Sequence, residues 1–369
     1  MSAGVDTDPV ALRGFFHLVN YLCQPVIFYT GTIAAFFGAL TFRKIWVQPK
    51  VALGLLIGSF VFVGISCFNA QFAHEAAKPD NIPLWIMLYL TALVLWAAFY
   101  QAVRNDERIK QGLRVDEAEA ADEKLHVWPY LVYIEGIVAA FVLALLFIWA
   151  MGLEAPLEQF ANPAKSPNPA KAPWYFLGLQ ELLVYFDPWL AGVVLPGMIV
   201  TGLIALPYCD PNPKGVGYYT FEQRKFAITT YLFGFLLMWI VLIFVGTLLR
   251  GQNWNFFGLY EAWDEHKLIS ANNVNVSEIF WQNLMSRATP SQWWMRELPG
   301  FVLLAGYFTV LPGLIALIFK RFYQQLGFVR YSIVVMHLIV MLLVPIKMYL
   351  RWGFNLKYIV FIPEYFFNV

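Results

Sequence analysis

The residues best placed to do chemistry lie between Lys171 and Pro188. Pro173 suits the first turn of a helix, where its missing N–H costs nothing. From there Trp174, Leu177, Gly178, Glu181 and Tyr185 recur at a helical period and share one face. Aromatic walls, a glycine gap and one carboxylate on a single face suit a flat, apolar, hydroxylated ring that must give up a proton. A helix lying at the membrane surface has the same period, so periodicity alone leaves both readings open. A second carboxylate, Glu135, sits in an otherwise apolar run, where it must face protein or water. It is a candidate for an inner site or proton path, or a hydrogen-bonding partner for a neighbouring helix.

Other chemistry is scarce. The five histidines are His17, His74, His126, His266 and His337, and only His337 falls within a long apolar run. Two b-type haems in a helical bundle need two inward-facing histidine pairs, which this distribution does not supply. His17 and His74 could in principle grip a haem or metal together, or be two surface histidines that never meet. The three cysteines, Cys23, Cys67 and Cys209, form neither Cys-x-x-Cys-His nor a cluster-binding spacing. No phosphate loop, dinucleotide fingerprint or zinc-protease motif occurs. The sequence therefore predicts no metal and no covalently held cofactor on this chain.

The elements that position these residues follow from composition. Of 369 residues, 60% are hydrophobic and 13% charged, about half the charged share of a soluble protein. Such a chain cannot cover a water-facing surface, so most of its surface meets lipid or other subunits. A net charge of +1 offers no attraction to nucleic acid. About 20 apolar residues cross a bilayer as a helix. Eight runs qualify: roughly 24–42, 51–71, 83–103, 129–151, 189–207, 226–249, 299–319 and 331–350. The expected fold is all-α and polytopic, with about eight spans and short amphipathic surface helices; residues 12–23 would lie along the interface. The loops between spans one and two, three and four, five and six, and seven and eight hold more than half of the 25 Lys and Arg. The positive-inside rule puts those loops in the cytoplasm and both termini outside, with no cleavable signal sequence at Asp6, Asp8 and Arg13. Residues 174–185 then lie on the outer side. Four divisions are expected: a three-span N-terminal extension (1–103), a solvated cytoplasmic connector (104–128) with the acidic run Asp116 to Glu123, a three-span region with the outer loop (129–250), and an outer loop with a two-span C-terminal extension (251–369). The loop prolines Pro156 to Pro173 and the tryptophan-rich stretch 250–298 read as outer-surface segments.

The order of span, proline-rich loop, Pro-Trp-Tyr-Phe helix and two further spans resembles the C-terminal half of cytochrome b, the part called subunit IV when it is a separate chain. Lys171 to Pro188, Asp210 to Gly215 and Tyr218 to Lys225 are similar to bacterial menaquinol:cytochrome c reductase subunits. The resemblance covers about residues 125–250. It implies a haem-free subunit of a bc-type complex of the bacterial cytoplasmic membrane, contributing to outer-side quinol oxidation and proton release, and inactive alone. Quinol would be the substrate, touching Pro173, Trp174, Tyr175, Leu177, Gly178 and Tyr185. The implied partners are a haem b-bearing N-terminal-half cytochrome b chain, a Rieske iron–sulfur protein, a c-type cytochrome and membrane lipid. The family's Pro-Glu-Trp-Tyr tetrad is altered: Ala172 and Pro173 precede Trp174, so its acceptor carboxylate is missing. Glu181 is the expected replacement, as the catalytic proton acceptor. The rival reading is a non-redox membrane scaffold or transporter subunit.

Overall fold

The computed structural model describes residues 9–119, 126–154, 160–212, 217–264, 266–267, 269 and 272–369. Asp6, Asp8, Glu123, Lys124, Pro156, Lys214 and Gly215 lie outside the described residues. The helices that matter here are α1 (Val10–Leu22), α2 (Pro25–Thr41), α3 (Pro49–Ser66), α4 (Ile82–Lys110), α5 (Val127–Gly152), α6 (Trp174–Leu182), α7 (Leu190–Cys209), α8 (Lys225–Leu249), α9 (Leu298–Ile318) and α10 (Lys320–Phe354). Among the described residues the only strand pairing is a two-residue hairpin, β1 (Phe361–Ile362) with β2 (Phe367–Asn368). The chain is an all-α membrane protein.

Seven of these helices (α3, α4, α5 and α7 to α10) are long and apolar enough to cross a membrane. The eighth expected run is α2, which follows α1 across an 83° bend. Proline explains the bend: Pro25 has no N–H with which to continue α1, yet its fixed φ suits the first turn of α2. Pro49, which starts α3, acts in the same way. Near the start of α10 the backbone leaves helical geometry at Gly327, where φ is +71°. Only glycine adopts that conformation without steric cost. The expected start at 331 therefore falls just after a real break.

The chain forms two compact units. One comprises Gly38–Pro167 and Val216–Ile228. There α4 runs seven residues past the expected end of its span, and the supposedly solvated connector begins as ordered, partly buried structure. Asn105 is fully buried; its amide donates to Glu117 Oε2 (2.6 Å) and to the Tyr219 carbonyl (2.9 Å). Asp106 is buried too and accepts the Glu222 backbone N–H at 3.2 Å. Arg104 and Arg108 both bind Asp116, while Arg43 pairs with Glu222 and lies 4.1 Å from the Phe221 ring centre. Exposed ion pairs of this kind each contribute at most about 1 kcal/mol. The buried Asn105 contacts matter more, because an unpaired polar group there would cost about 1–3 kcal/mol. This ladder ties residues 43–119 to the loop 219–222.

The other unit comprises Asp8–Phe37, Asn168–Gly215 and Thr229–Val369. Its core joins Tyr29, Leu182, Tyr185, Phe186 and Leu190 to Leu242, Leu343, Met348, Val360 and Val369. Helix α6, the end of α8, the C-terminal end of α10 and the C-terminal segment therefore share one apolar core.

Candidate functional site

Helix α6 starts at Trp174 with Pro173 as its N-cap residue. The extended chain before it is fastened by side chains. The Ala172 N–H donates to Gln180 Oε1 (2.8 Å), and Gln180 Nε2 donates back to the Ala170 carbonyl (2.8 Å). Lys171 Nζ donates to the Thr247 carbonyl at 2.7 Å and lies 4.4 Å from the Trp263 ring centre. Asn168 and Asn253 bond reciprocally, at 3.0 and 2.7 Å. Asn168 and Lys171 thus strap the chain before α6 to the end of α8 and the residues that follow it.

The predicted one-sided face of α6 is real, and its occupant is protein. Leu177, Gly178, Glu181 and Tyr185 are all buried. A Cβ on Gly178 would meet Ile243 Cγ1 at 3.2 Å and the Trp239 carbonyl at 3.3 Å; one on Gly246 would meet the Leu177 carbonyl at 3.1 Å. Two glycines, one per helix, let α6 and α8 touch backbone to backbone. Within this chain, protein therefore covers Leu177, Gly178 and Tyr185. A helical period reports which residues share a face and cannot report what covers it. Pro173, Tyr175, Phe176 and Leu183 are exposed, and Trp174 is half-buried with its ring set perpendicular to Tyr175.

Glu181 is fully buried and takes four hydrogen bonds. Oε1 accepts from Tyr185 Oη (2.8 Å) and Arg250 Nη2 (2.7 Å). Oε2 accepts from Arg250 Nε (3.0 Å) and Trp254 Nε1 (3.2 Å). The Arg250 fork is two-pronged, the geometry that makes such pairs strong. Arg250 also donates to the Trp254 carbonyl (2.8 Å) and stacks 3.9 Å from the Phe256 ring centre. Burial, and next the charge of Glu181, push the Tyr185 hydroxyl well above the ordinary phenol range, so it stays a donor. Glu181 thus anchors α6 to Arg250 and Trp254. To accept a proton from outside, it would first have to part from Arg250.

Residues 160–262 match the family described as cytochrome b (C-terminal)/b6/petD. The similarity to that family is confined to this segment. The segment contains α6, α7, α8 and the whole Glu181–Arg250–Trp254 cluster. The chain is also similar to a protein of Geobacillus thermodenitrificans named menaquinol:cytochrome c reductase cytochrome c subunit, 27% identical over 119 residues. That match takes in 30% of this chain and 48% of the relative, so the chain spans about half the length of the curated relative it matches. No solved structure matches.

Within the matched segment, sequence reasoning missed Arg250. Arg250 ends the apolar run Ile228 to Leu249, where a cation can equally reach water, so nothing in the sequence tied it to Glu181. Outside the segment, Glu135 is exposed on α5, no residue of which is buried from Val132 to Gly152. His17 and His74 are exposed on their own helices. His337, on α10, reaches Thr201 on α7. Its Nδ1 stands 2.7 Å from the Ile333 carbonyl and its Nε2 3.2 Å from the Thr201 hydroxyl. Among the described residues no group of three or more His, Cys, Asp or Glu is arranged to hold a metal ion.

Proposed function

We propose that this chain is a haem-free subunit of a quinol-oxidising bc-type complex of the bacterial cytoplasmic membrane, and that α6 forms part of its outer quinol site. The observation that carries the reading is a fixed helix with an uncovered aromatic start, inside the segment that matches the cytochrome b C-terminal family. Tyr175 and Phe176 are 47% and 51% exposed beside Pro173, while the opposite face is locked to α8. An anchored helix presenting bare rings loses little entropy when a flat ring stacks on it.

The quinol ring lies against Pro173, Trp174 and Tyr175. Glu181 and Arg250 act one layer behind, holding α6 in place through Tyr185 and Trp254. Partner chains complete the pocket: a haem-bearing N-terminal-half cytochrome b, a Rieske iron–sulfur protein and a c-type cytochrome. Their haems and cluster would take the electrons, and the protons would leave on the outer side. The haem-free assignment rests on ligand supply. His337 is the one described histidine inside a span, and both its ring nitrogens are engaged. A bis-histidine haem does not fit these residues. The cysteines offer no c-type attachment either.

The test is a purification through a tag on this chain. The expected product carries a haem spectrum and reduces cytochrome c with added menaquinol; a haem-free product inert to menaquinol would favour the scaffold or transporter reading. In that complex, Tyr175→Ala should raise the quinol KM about tenfold, the worth of one lost aromatic contact of about 1.4 kcal/mol, with haem content unchanged. An unchanged KM would move the ring elsewhere. His337→Leu should leave haem content intact and cost only about 0.6 kcal/mol of stability, the mean for a hydrogen bond between spans. Loss of one haem per complex would instead make His337 a ligand.

A further inference from the structure

A fully buried charged group outside the Glu181 cluster is Lys347, on the C-terminal half of α10. It is 0% exposed. Its ammonium Nζ donates to the Lys357 carbonyl at 2.7 Å. The ammonium also lies 6.0 Å from the ring centres of both Phe186 and Tyr358. One carbonyl and two aromatic faces thus replace water around it. A buried charge held this way still costs free energy relative to an apolar side chain of similar size. Helix α10 buries Val344, Pro345 and Met348 beside it without difficulty, so a methionine would pack there more simply.

What the lysine joins accounts for its presence. Phe186 belongs to the turn that follows α6; Lys357 and Tyr358 belong to the segment that follows α10. The same segment grips that turn four more times. Lys357 Nζ donates to the Val184 carbonyl (3.2 Å), and Tyr358 Oη donates to Asp187 Oδ1 (3.3 Å). Asn368 Nδ2 donates to the same carboxylate oxygen (3.3 Å), and Trp189 Nε1 donates to the Asn368 carbonyl (3.0 Å). Trp352, at the end of α10, meets the Tyr185 ring edge-on at 5.9 Å. Residues 184–189 are therefore gripped from one side by residues 347–368, all of them outside the family match at 160–262.

We propose that Lys347 is a positioning residue for the quinol site, acting through Phe186 and the 357–358 backbone to fix the far end of α6, and that this clamp is what the C-terminal extension contributes. The proposal rests on the quinol reading above. Directional contacts to a carbonyl and two ring faces hold a register that apolar packing alone leaves free to slide. The clamp and the Glu181 cluster secure α6 at opposite sides of Tyr185, and the exposed rings at the start of the helix take their position from both.

The experiment uses the whole purified complex carrying Lys347→Met, Lys347→Arg or Tyr358→Leu. In Lys347→Met, amide exchange across residues 183–190 should speed up and the quinol KM rise at least about fivefold, while kcat changes less than about twofold. Lys347→Arg should recover most of both changes, because a guanidinium also donates to a carbonyl and stacks on rings. Wild-type exchange and KM in Lys347→Met would overturn the proposal. So would equal damage from Met and Arg, which would mean that packing alone matters. If Lys347→Met does not assemble, Tyr358→Leu decides in the same way: faster exchange with raised KM supports the clamp, and no change in either rejects it. Exchange also separates this inference from the one beneath it. Faster exchange in a complex that never oxidised quinol would sink the quinol reading and leave the clamp. Unchanged exchange in an active complex would sink only the clamp.

Discussion

Glu181→Gln should lower both the thermal stability of the assembled complex and its quinol oxidation, by amounts that track each other. The carboxylate takes four donors, two of them from Arg250. A glutamine keeps one acceptor oxygen and puts an NH2 where the other stood, facing donors that have nothing to donate to. It also leaves the buried guanidinium without a counter-charge, and breaking a buried pair from one side costs about 3–5 kcal/mol. The double variant Glu181→Leu with Arg250→Met removes both charges at once. Replacing a buried pair by apolar groups is often neutral, so melting temperature and turnover should both return most of the way. Differential scanning of the purified complex and a cytochrome c reduction assay measure the two quantities. A double variant that is stable yet inactive would reject the anchoring role and return Glu181 to the position of proton acceptor.

Gly246→Val is expected to be more damaging to activity than any substitution on the exposed side of α6. A Cβ at 246 would stand 3.1 Å from the Leu177 carbonyl and 3.3 Å from Leu177 Cβ, and backbone cannot yield as a flexible side chain can. Valine adds two further methyl groups in the same gap. Overpacking of this kind costs about 1–3 kcal/mol. Its larger consequence is displacement: α6 must move away from α8, and a shift of about 1 Å at a reacting site can cost about 100-fold in rate. Gly246→Ala should do much less. The check is turnover per haem in complexes of equal haem content. Wild-type turnover in an assembled Gly246→Val complex would show that the spacing between α6 and α8 does not govern the site.

Three features were legible in the linear chain because they depend on neighbours in sequence. The apolar runs predicted the spans, since a lipid environment demands long uncharged helices whatever their partners. Pro25 and Pro173 marked helix starts, because a missing N–H is a local property. The 3.6-residue period of α6 correctly grouped Leu177, Gly178, Glu181 and Tyr185 on one face, and the run Lys171 to Pro188 pointed to the family that residues 160–262 match.

Hydropathy alone determined that this is an all-α membrane protein, because only helices and closed barrels satisfy the backbone in lipid and these long apolar runs lack the short alternating pattern of barrel strands. Tertiary structure alone decided that Glu181 meets Arg250, 69 residues away, since two residues that far apart carry no mark of each other in the sequence. It also decided that the shared face of α6 is filled by α8, and that residues 356–369 return to the turn after α6. Periodicity orients a helix about its own axis. Which neighbour fills that side depends on shape and charge contributed by distant parts of the chain, and only folding brings those together.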